Sequence, residues 1–156
     1  MVTLKDSLSS LSESWIAWDL KEESECDAEP LATVLIDYKK AVAPKESGVA
    51  RVFAVLPNAI CLYELTTDPD PGRGTDLRRT LIPSHRIRSV IRISHVRNTP
   101  DRSQQMYGMQ SIIMQLDGEP DYLTVETDPN WYSNKEEEST YRMKEVSRVL
   151  DVLIGG

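Results

Sequence analysis

The sequence predicts a mainly β fold with flanking helices (α+β): an N-terminal helix, a small five-stranded barrel, and a C-terminal strand and helix. Five segments between residues 31 and 95 are rich in β-branched residues and show the apolar spacing of strands. Near both ends of the chain, apolar residues instead recur every three or four positions, as on one face of a helix. The connections between the strand segments are short except after Leu65, which is consistent with strands that curl into one barrel.

The N-terminal helix is predicted from an apolar stripe at spacings of three and four residues, formed by Leu4, Leu8, Leu11, Trp15 and Trp18. Two tryptophans on one stripe suit a packed core, and they also suit an exposed helix that anchors a protein partner. Both interpretations stay open, so Trp15 and Trp18 are candidate partner-binding residues.

The strand segments are LATVLIDY, GVARVFAVL, AICLYEL, LRRTLIP and the basic segment 86–94. The second and third are apolar at consecutive positions, as expected for strands that are buried on both faces. In segment 86–94, alternation places Ile87, Ile91 and Ile93 on one face and a set of mainly basic residues on the other. We predict that this outer set binds a partner; it consists of Arg86, Arg88, Val90, Arg92 and Ser94.

The secondary structure of the C-terminal part can be predicted in more than one way. Residues 104–118 fit either a short helix or a strand, YLTVET fits a strand, and residues 135–153 fit a helix. Met143, Val146, Leu150 and Leu153 form the apolar stripe of that helix. We therefore divide the chain into residues 1–97, the first helix with the barrel, and residues 98–156, an appendage.

Charge is distributed unevenly along the chain. Eight arginines and two acids between residues 73 and 102 give +6 in a chain of net charge −7, which argues against a general nucleic-acid binder. We expect weak or indirect RNA contact, with Arg73, Arg78 and Arg79 as candidate RNA- or anion-binding residues. There is no apolar run of about 18 residues and no secretion-signal pattern, so we expect no membrane span and a cytoplasmic or nuclear location.

No motif indicates catalysis. His85 and His95 are ten residues apart without further ligands at metal-site spacing, and no glycine-rich phosphate loop or nucleophile elbow is present. We expect a protein that is not an enzyme, with no catalytic residue, no metal and no cofactor.

Part of the chain resembles the Sm and LSm proteins. GVARVFAVLPNAICLYEL is similar to their first motif, two strands joined by a tight turn, and LIPSHRIRSV follows the spacing of their second. Pro83 and Ser84 stand where that family has the Arg-Gly pair that binds a nucleotide, so the resemblance is to members without the RNA pocket. The segment from Val125 to Ile154 resembles the end of an AD-type domain, as in Sm-like Gemin subunits of the SMN complex.

This resemblance implies a non-catalytic scaffold that pairs its strand edge with another Sm-like chain in a hetero-oligomer. Such subunits help to load Sm proteins onto small nuclear RNA. The alternative resemblance is to pleckstrin-homology-like domains, seven-stranded rolls capped by a C-terminal helix. It implies a module for protein partners or phosphoinositide membranes, with Lys39, Lys40, Lys45 and Arg51 near the lipid. A helix at 104–118 would favour the first reading, and paired strands would favour the second.

Overall fold

Seven strands and one long helix make up the described part of the chain. The computed structural model describes residues 31–39, 45–70, 75–97, 106–128 and 135–155. The predicted N-terminal helix therefore lies outside the described residues.

The first four strands form one antiparallel sheet in chain order. They are β1 (Ala32–Lys39), β2 (Gly48–Val55), β3 (Ala59–Thr67) and β4 (Thr75–Pro83). The turn between β2 and β3 is closed by a 2.8 Å hydrogen bond from the Leu56 amide to the Ala59 carbonyl, around the predicted Pro57-Asn58 turn. All four strand segments predicted in this region are strands, since β-branched and aromatic side chains pack well on a pleated surface.

The other three strands form a second antiparallel sheet in the order β5-β6-β7. They are β5 (Ile87–Arg97), β6 (Met106–Leu116) and β7 (Leu123–Val125). A three-residue 3-10 turn, Ser84–Arg86, separates β5 from β4. The last element that the structure describes is helix α1, Lys135–Gly155.

The prediction of a five-stranded closed barrel needs correction. The described strands number seven, and β4 and β5 lie in different sheets, so these strands form no closed barrel. Pro83 and the turn after it end the β4 ladder, because proline lacks an amide donor and its ring restricts the backbone. Residues 106–116 are a strand paired with both β5 and β7, which resolves the ambiguity at 104–118 in favour of a strand. The β5–β6 pairing also spans the predicted domain boundary after residue 97.

Both sheets and the helix contribute to one main core. The predicted apolar stripe of α1 points into it, with Leu153 packed at its margin. The core residues are Ala32, Val34, Phe53, Val55, Ile60 and Ile82 from the first sheet, Ile112, Met114, Leu116 and Val125 from the second, and Met143, Val146, Val149 and Leu150 from α1. Burial of these side chains at about 25 cal/mol per Å² is the main force that holds the two sheets and the helix together.

A second apolar cluster lies on the opposite face of the first sheet. Its residues alternate along the strands with those of the main core, so their side chains point the other way. They are Leu35, Ala50, Val52, Ala54, Leu56, Cys61, Tyr63 and Leu65. The first sheet is thus apolar on both faces, as the consecutive apolar positions of GVARVFAVL and AICLYEL predicted.

Candidate functional site

The candidate site is the outer edge of β5 together with the C-terminal end of α1. Among the described strands, β5 has β6 as a neighbour on one side and no strand on the other. An edge strand presents backbone amides and carbonyls that can pair with another chain. β5 also carries most of the basic segment 86–94, which was predicted to contact a partner.

A bulge at Arg88 decides which side chains of β5 face the core. Ile87 lies opposite Leu116 and Ser89 lies opposite Gln115, so Arg88 is an extra residue on β5. An extra residue reverses the alternation of faces beyond it. Val90 therefore lies on the same face as Ile87, packed against the main core.

The predicted division of β5 into an isoleucine face and a basic face was consequently wrong. Arg92 lies opposite Ile112 and Val90 opposite Met114, both of which are fully buried core residues. Ile91 and Ile93 point outward and are 51% and 42% exposed. No residue pattern in β5 announces the bulge, which is why alternation placed these side chains on the wrong faces.

Arg92 joins β5 to α1. Its Nε donates a 2.7 Å hydrogen bond to Oγ of Ser147, and its guanidinium also pairs with the carboxylate of Asp151. Ser147 is buried and Asp151 is exposed. The two partners are four residues apart and so share one face of the helix. The four-residue spacing of Ser147 and Asp151 is visible in the sequence. The bulge that turns Arg92 to the core face of β5 is not, so this contact could not be predicted.

Arg86 and Arg88 contact the turn that follows β6. Arg86 donates a 2.8 Å hydrogen bond to the carbonyl oxygen of Asp117 and lies 3.8 Å from Oε1 of Glu119. Nε of Arg88 is 3.5 Å from Oδ1 of Asp117, and the Arg88 side chain is 68% exposed. Arg88 can therefore still present donors to an incoming acidic or carbonyl group.

A groove of about 430 Å³ runs between the first half of β5 and the end of α1. It is lined by β5 residues between Ile87 and Arg92 and by Asp151, Ile154 and Gly155. Its lining combines apolar and charged residues, and the lining residues from β5 belong to the strand with the open edge. An extended peptide laid along β5 would place alternate side chains in this groove.

The other predicted site residues are more scattered. Ser94 is exposed on β5. Arg78 and Arg79 are both exposed on β4, and because they are consecutive in a strand they point to opposite faces. Trp15, Trp18 and Arg73 lie outside the described residues.

No protein-family model, no curated protein and no solved structure matches the chain. The helix that the structure describes is not apolar and long enough to cross a membrane.

Proposed function

We propose that this protein is a non-catalytic adaptor that binds a partner protein by adding one of the partner's extended segments as a strand beside β5. The observation that carries this proposal is the open edge of β5, which runs along a groove formed with α1. Backbone hydrogen bonds to the edge supply affinity, and the groove selects side chains.

The lining of the groove indicates the chemistry of the segment. Val90 and Ile154 offer apolar contact, and the exposed guanidinium of Arg88 favours an acidic side chain. Arg92 and Asp151 also line the groove, and their ion pair holds strand and helix together. An extended segment that alternates apolar and acidic residues fits this surface best.

Two versions of the adaptor proposal differ in their partners. The resemblance of residues 48–65 and 81–90 to Sm motifs supports an RNP-assembly scaffold that pairs with another Sm-like chain. The layout of four strands, three strands and a C-terminal helix is what the pleckstrin-homology-like resemblance implies. The paired strand at 106–116 favours this version, a general protein-binding module, over the first. Strand addition at β5 is common to both versions.

Phosphoinositide binding is the less favoured form of the second version. Nζ of Lys39 lies 3.5 Å from Oε2 of Glu46, and Nε of Arg51 lies 3.9 Å from Oε2 of Glu64. Carboxylates beside these two cations weaken their attraction for lipid phosphates. We expect no co-sedimentation of the protein with vesicles that contain phosphoinositides.

The test is affinity purification of the tagged full-length chain from native extract, with bound proteins identified by mass spectrometry. Ile154→Asp places a charge in the groove, and Val152→Asp places one on an exposed residue that does not line it. We expect the first substitution to abolish capture of the specific partners and the second to preserve it. Sm proteins or SMN-complex subunits among those partners would support the assembly scaffold, and other proteins would support the general module.

Hydrogen exchange then locates the contact on the backbone. In a complex with the captured partner, we expect every second amide of β5 to exchange more slowly, since alternate amides of an edge strand point away from the sheet. Protection confined to the first sheet, or equal loss of capture by both aspartate variants, would refute strand addition at β5.

A further inference from the structure

Two isoleucines on the outer face of β5 are exposed beside the open edge of the second sheet. Ile91 is 51% and Ile93 is 42% exposed. Ile91 lies directly opposite Ile113 of β6, which is half-buried. Edge strands are usually protected from pairing by charged side chains or proline. On its outer face, the middle of β5 instead presents aliphatic side chains, so an added strand would extend an apolar surface that is already there.

The regular part of β5 is short. Residues 89–93 pair in unbroken register with residues 111–115 of β6. The extra residue at Arg88 ends this stretch on one side, and a second irregularity between Ile93 and Ser94 ends it on the other. At about 3.4 Å per residue, the stretch offers roughly 17 Å of regular edge. An incoming strand can therefore pair with about five residues of β5.

The side chains of this stretch divide between two surfaces. Val90 and Arg92 lie on the core face and line the groove with α1. Ile91 and Ile93 lie on the outer face. Residues directly opposite each other on neighbouring strands place their side chains on the same face. Each residue of an added strand therefore meets either the groove or the isoleucines, according to its position.

We propose that the outer face of β5 selects aliphatic side chains in the bound segment, which therefore carries apolar residues on both of its faces. This inference rests on the strand addition proposed above and extends the recognition surface from the groove to the outer face. Aliphatic residues of the segment lie opposite Ile91 and Ile93, and a third lies opposite Val90.

Two arginines determine where the segment carries charge. The side chain of Arg88 is 68% exposed and lines the groove, so it favours an acidic residue beside it. The guanidinium of Arg92 is already bonded to Ser147 and Asp151. The position of the segment opposite Arg92 therefore requires no acid.

The order of these positions follows from an antiparallel direction. Every pair of neighbouring strands that the structure describes is antiparallel. Antiparallel ladders are also slightly more stable per residue than parallel ones. A segment antiparallel to β5 meets Ile93 first and Arg88 last. In chain order its residues are aliphatic, any, aliphatic, aliphatic, any and acidic.

A peptide selection tests this pattern without knowledge of the natural partner. The full-length protein selects from displayed peptides with a random window of six positions, one for each residue from 88 to 93. After alignment, we expect aliphatic residues to be enriched at positions one, three and four, and acidic residues at position six. Selection by protein with Ile91→Thr and Ile93→Thr should lose the enrichment at positions one and three only. Threonine keeps the β propensity of the strand, so the fold is retained.

The affinity of a selected peptide for the variants gives the magnitude of the effect. In fluorescence anisotropy titrations, we expect Ile91→Thr with Ile93→Thr to weaken binding about tenfold, because two apolar cross-strand pairs are lost. Leu81→Thr is the matched control, since Leu81 is 62% exposed on β4, and it should change the affinity by less than about twofold. Equal weakening by both variants would overturn the proposal.

The selection separates failure of the outer-face pattern from failure of strand addition. Enrichment at positions four and six without positions one and three would overturn the pattern and leave strand addition in place, and an acidic residue before the aliphatic ones would overturn the antiparallel order. No enrichment, or peptide binding that Ile154→Asp leaves unchanged, would refute strand addition itself. Light scattering that shows a dimer for the native protein and a monomer for the double isoleucine variant would identify a second copy as the occupant and overturn the proposal.

Discussion

Replacement of Arg92 by alanine is expected to loosen α1 from β5 by a calculable amount. The hydrogen bond from Arg92 to the buried hydroxyl of Ser147 joins a charged donor to a neutral acceptor, and such bonds contribute about 1.5 to 3 kcal/mol. The ion pair with Asp151 contributes at most about 1 kcal/mol, because the Asp151 side chain is 62% exposed. Arg92→Ala should therefore lower the free energy of unfolding by about 2 to 3 kcal/mol.

Urea denaturation followed by circular dichroism measures this loss. In thermal melts the same change corresponds to a decrease in Tm of roughly 5 to 10 °C for a chain of this size. Asp151→Ala should cost about 1 kcal/mol or less. Arg88→Ala is the matched control on the same strand and should stay within about 0.5 kcal/mol, since Arg88 is largely exposed.

The order of the effects is the sharper test. The hydrogen bond to the buried hydroxyl of Ser147 supplies most of the expected loss. Arg92→Ala and Ser147→Ala should therefore show a coupling energy of about 1 kcal/mol or more in a double-mutant cycle. Equal destabilisation by Asp151→Ala and Arg92→Ala would refute the dominant role of the buried hydroxyl. Additive effects of the Arg92 and Ser147 substitutions would refute it as well.

Three further substitutions probe the core, a turn and the helix surface. Ile112→Ala should lower the free energy of unfolding by about 2 to 5 kcal/mol in urea titrations, because Ile112 is fully buried in the main core. Gly118→Ala should cost about 1 kcal/mol, since Gly118 has φ +81° and an added Cβ would meet nothing closer than Arg86 Nη2 at 3.7 Å; an unchanged Tm would contradict this. The hydrogen bond from Arg148 holds the pKa of Glu145 below its ordinary value of 4.5, so the pair stabilises the fold above that pH and the benefit is lost as pH falls through the lowered pKa. Glu145→Gln should therefore reduce stability slightly at pH 7 and not at pH 2, as measured by thermal melts at both pH values.

Local sequence pattern sufficed to predict the four strands of the first sheet and the last helix. GVARVFAVL, AICLYEL and the stripe of Met143, Val146 and Leu150 lie in the elements that their spacing predicted. These segments are long enough for β propensity and helical periodicity to agree with the packing. Residues 106–116 were harder to predict, because they combine β-branched side chains with Gly108 and helix-forming residues. Pairing with β5 makes this segment a strand, and that pairing is not visible in the segment itself.

The sequence singled out the strand of the candidate site but not the orientation of its side chains. The arginines in 86–94 drew attention to β5, yet their number said nothing about which acids they would meet. Asp117 and Asp151 are 31 and 59 residues away from Arg86 and Arg92, their respective partners. The inserted residue at Arg88 then reversed the expected faces. A bulge depends on how two strands meet, so a single strand does not reveal it.

α1 follows the first sheet in the chain, and this order has a consequence during synthesis on the ribosome. The first sheet is complete at Pro83, whereas the helix that covers its inner face ends at Gly155. At roughly 5 to 20 residues per second, translation of the intervening stretch takes about 4 to 14 seconds. During that interval Phe53, Val55 and Ile60 are not yet covered by α1, and they belong to a hairpin that is rich in β-branched residues and poor in charge. We therefore expect the yield of folded protein in cells to depend on chaperones that bind apolar strands.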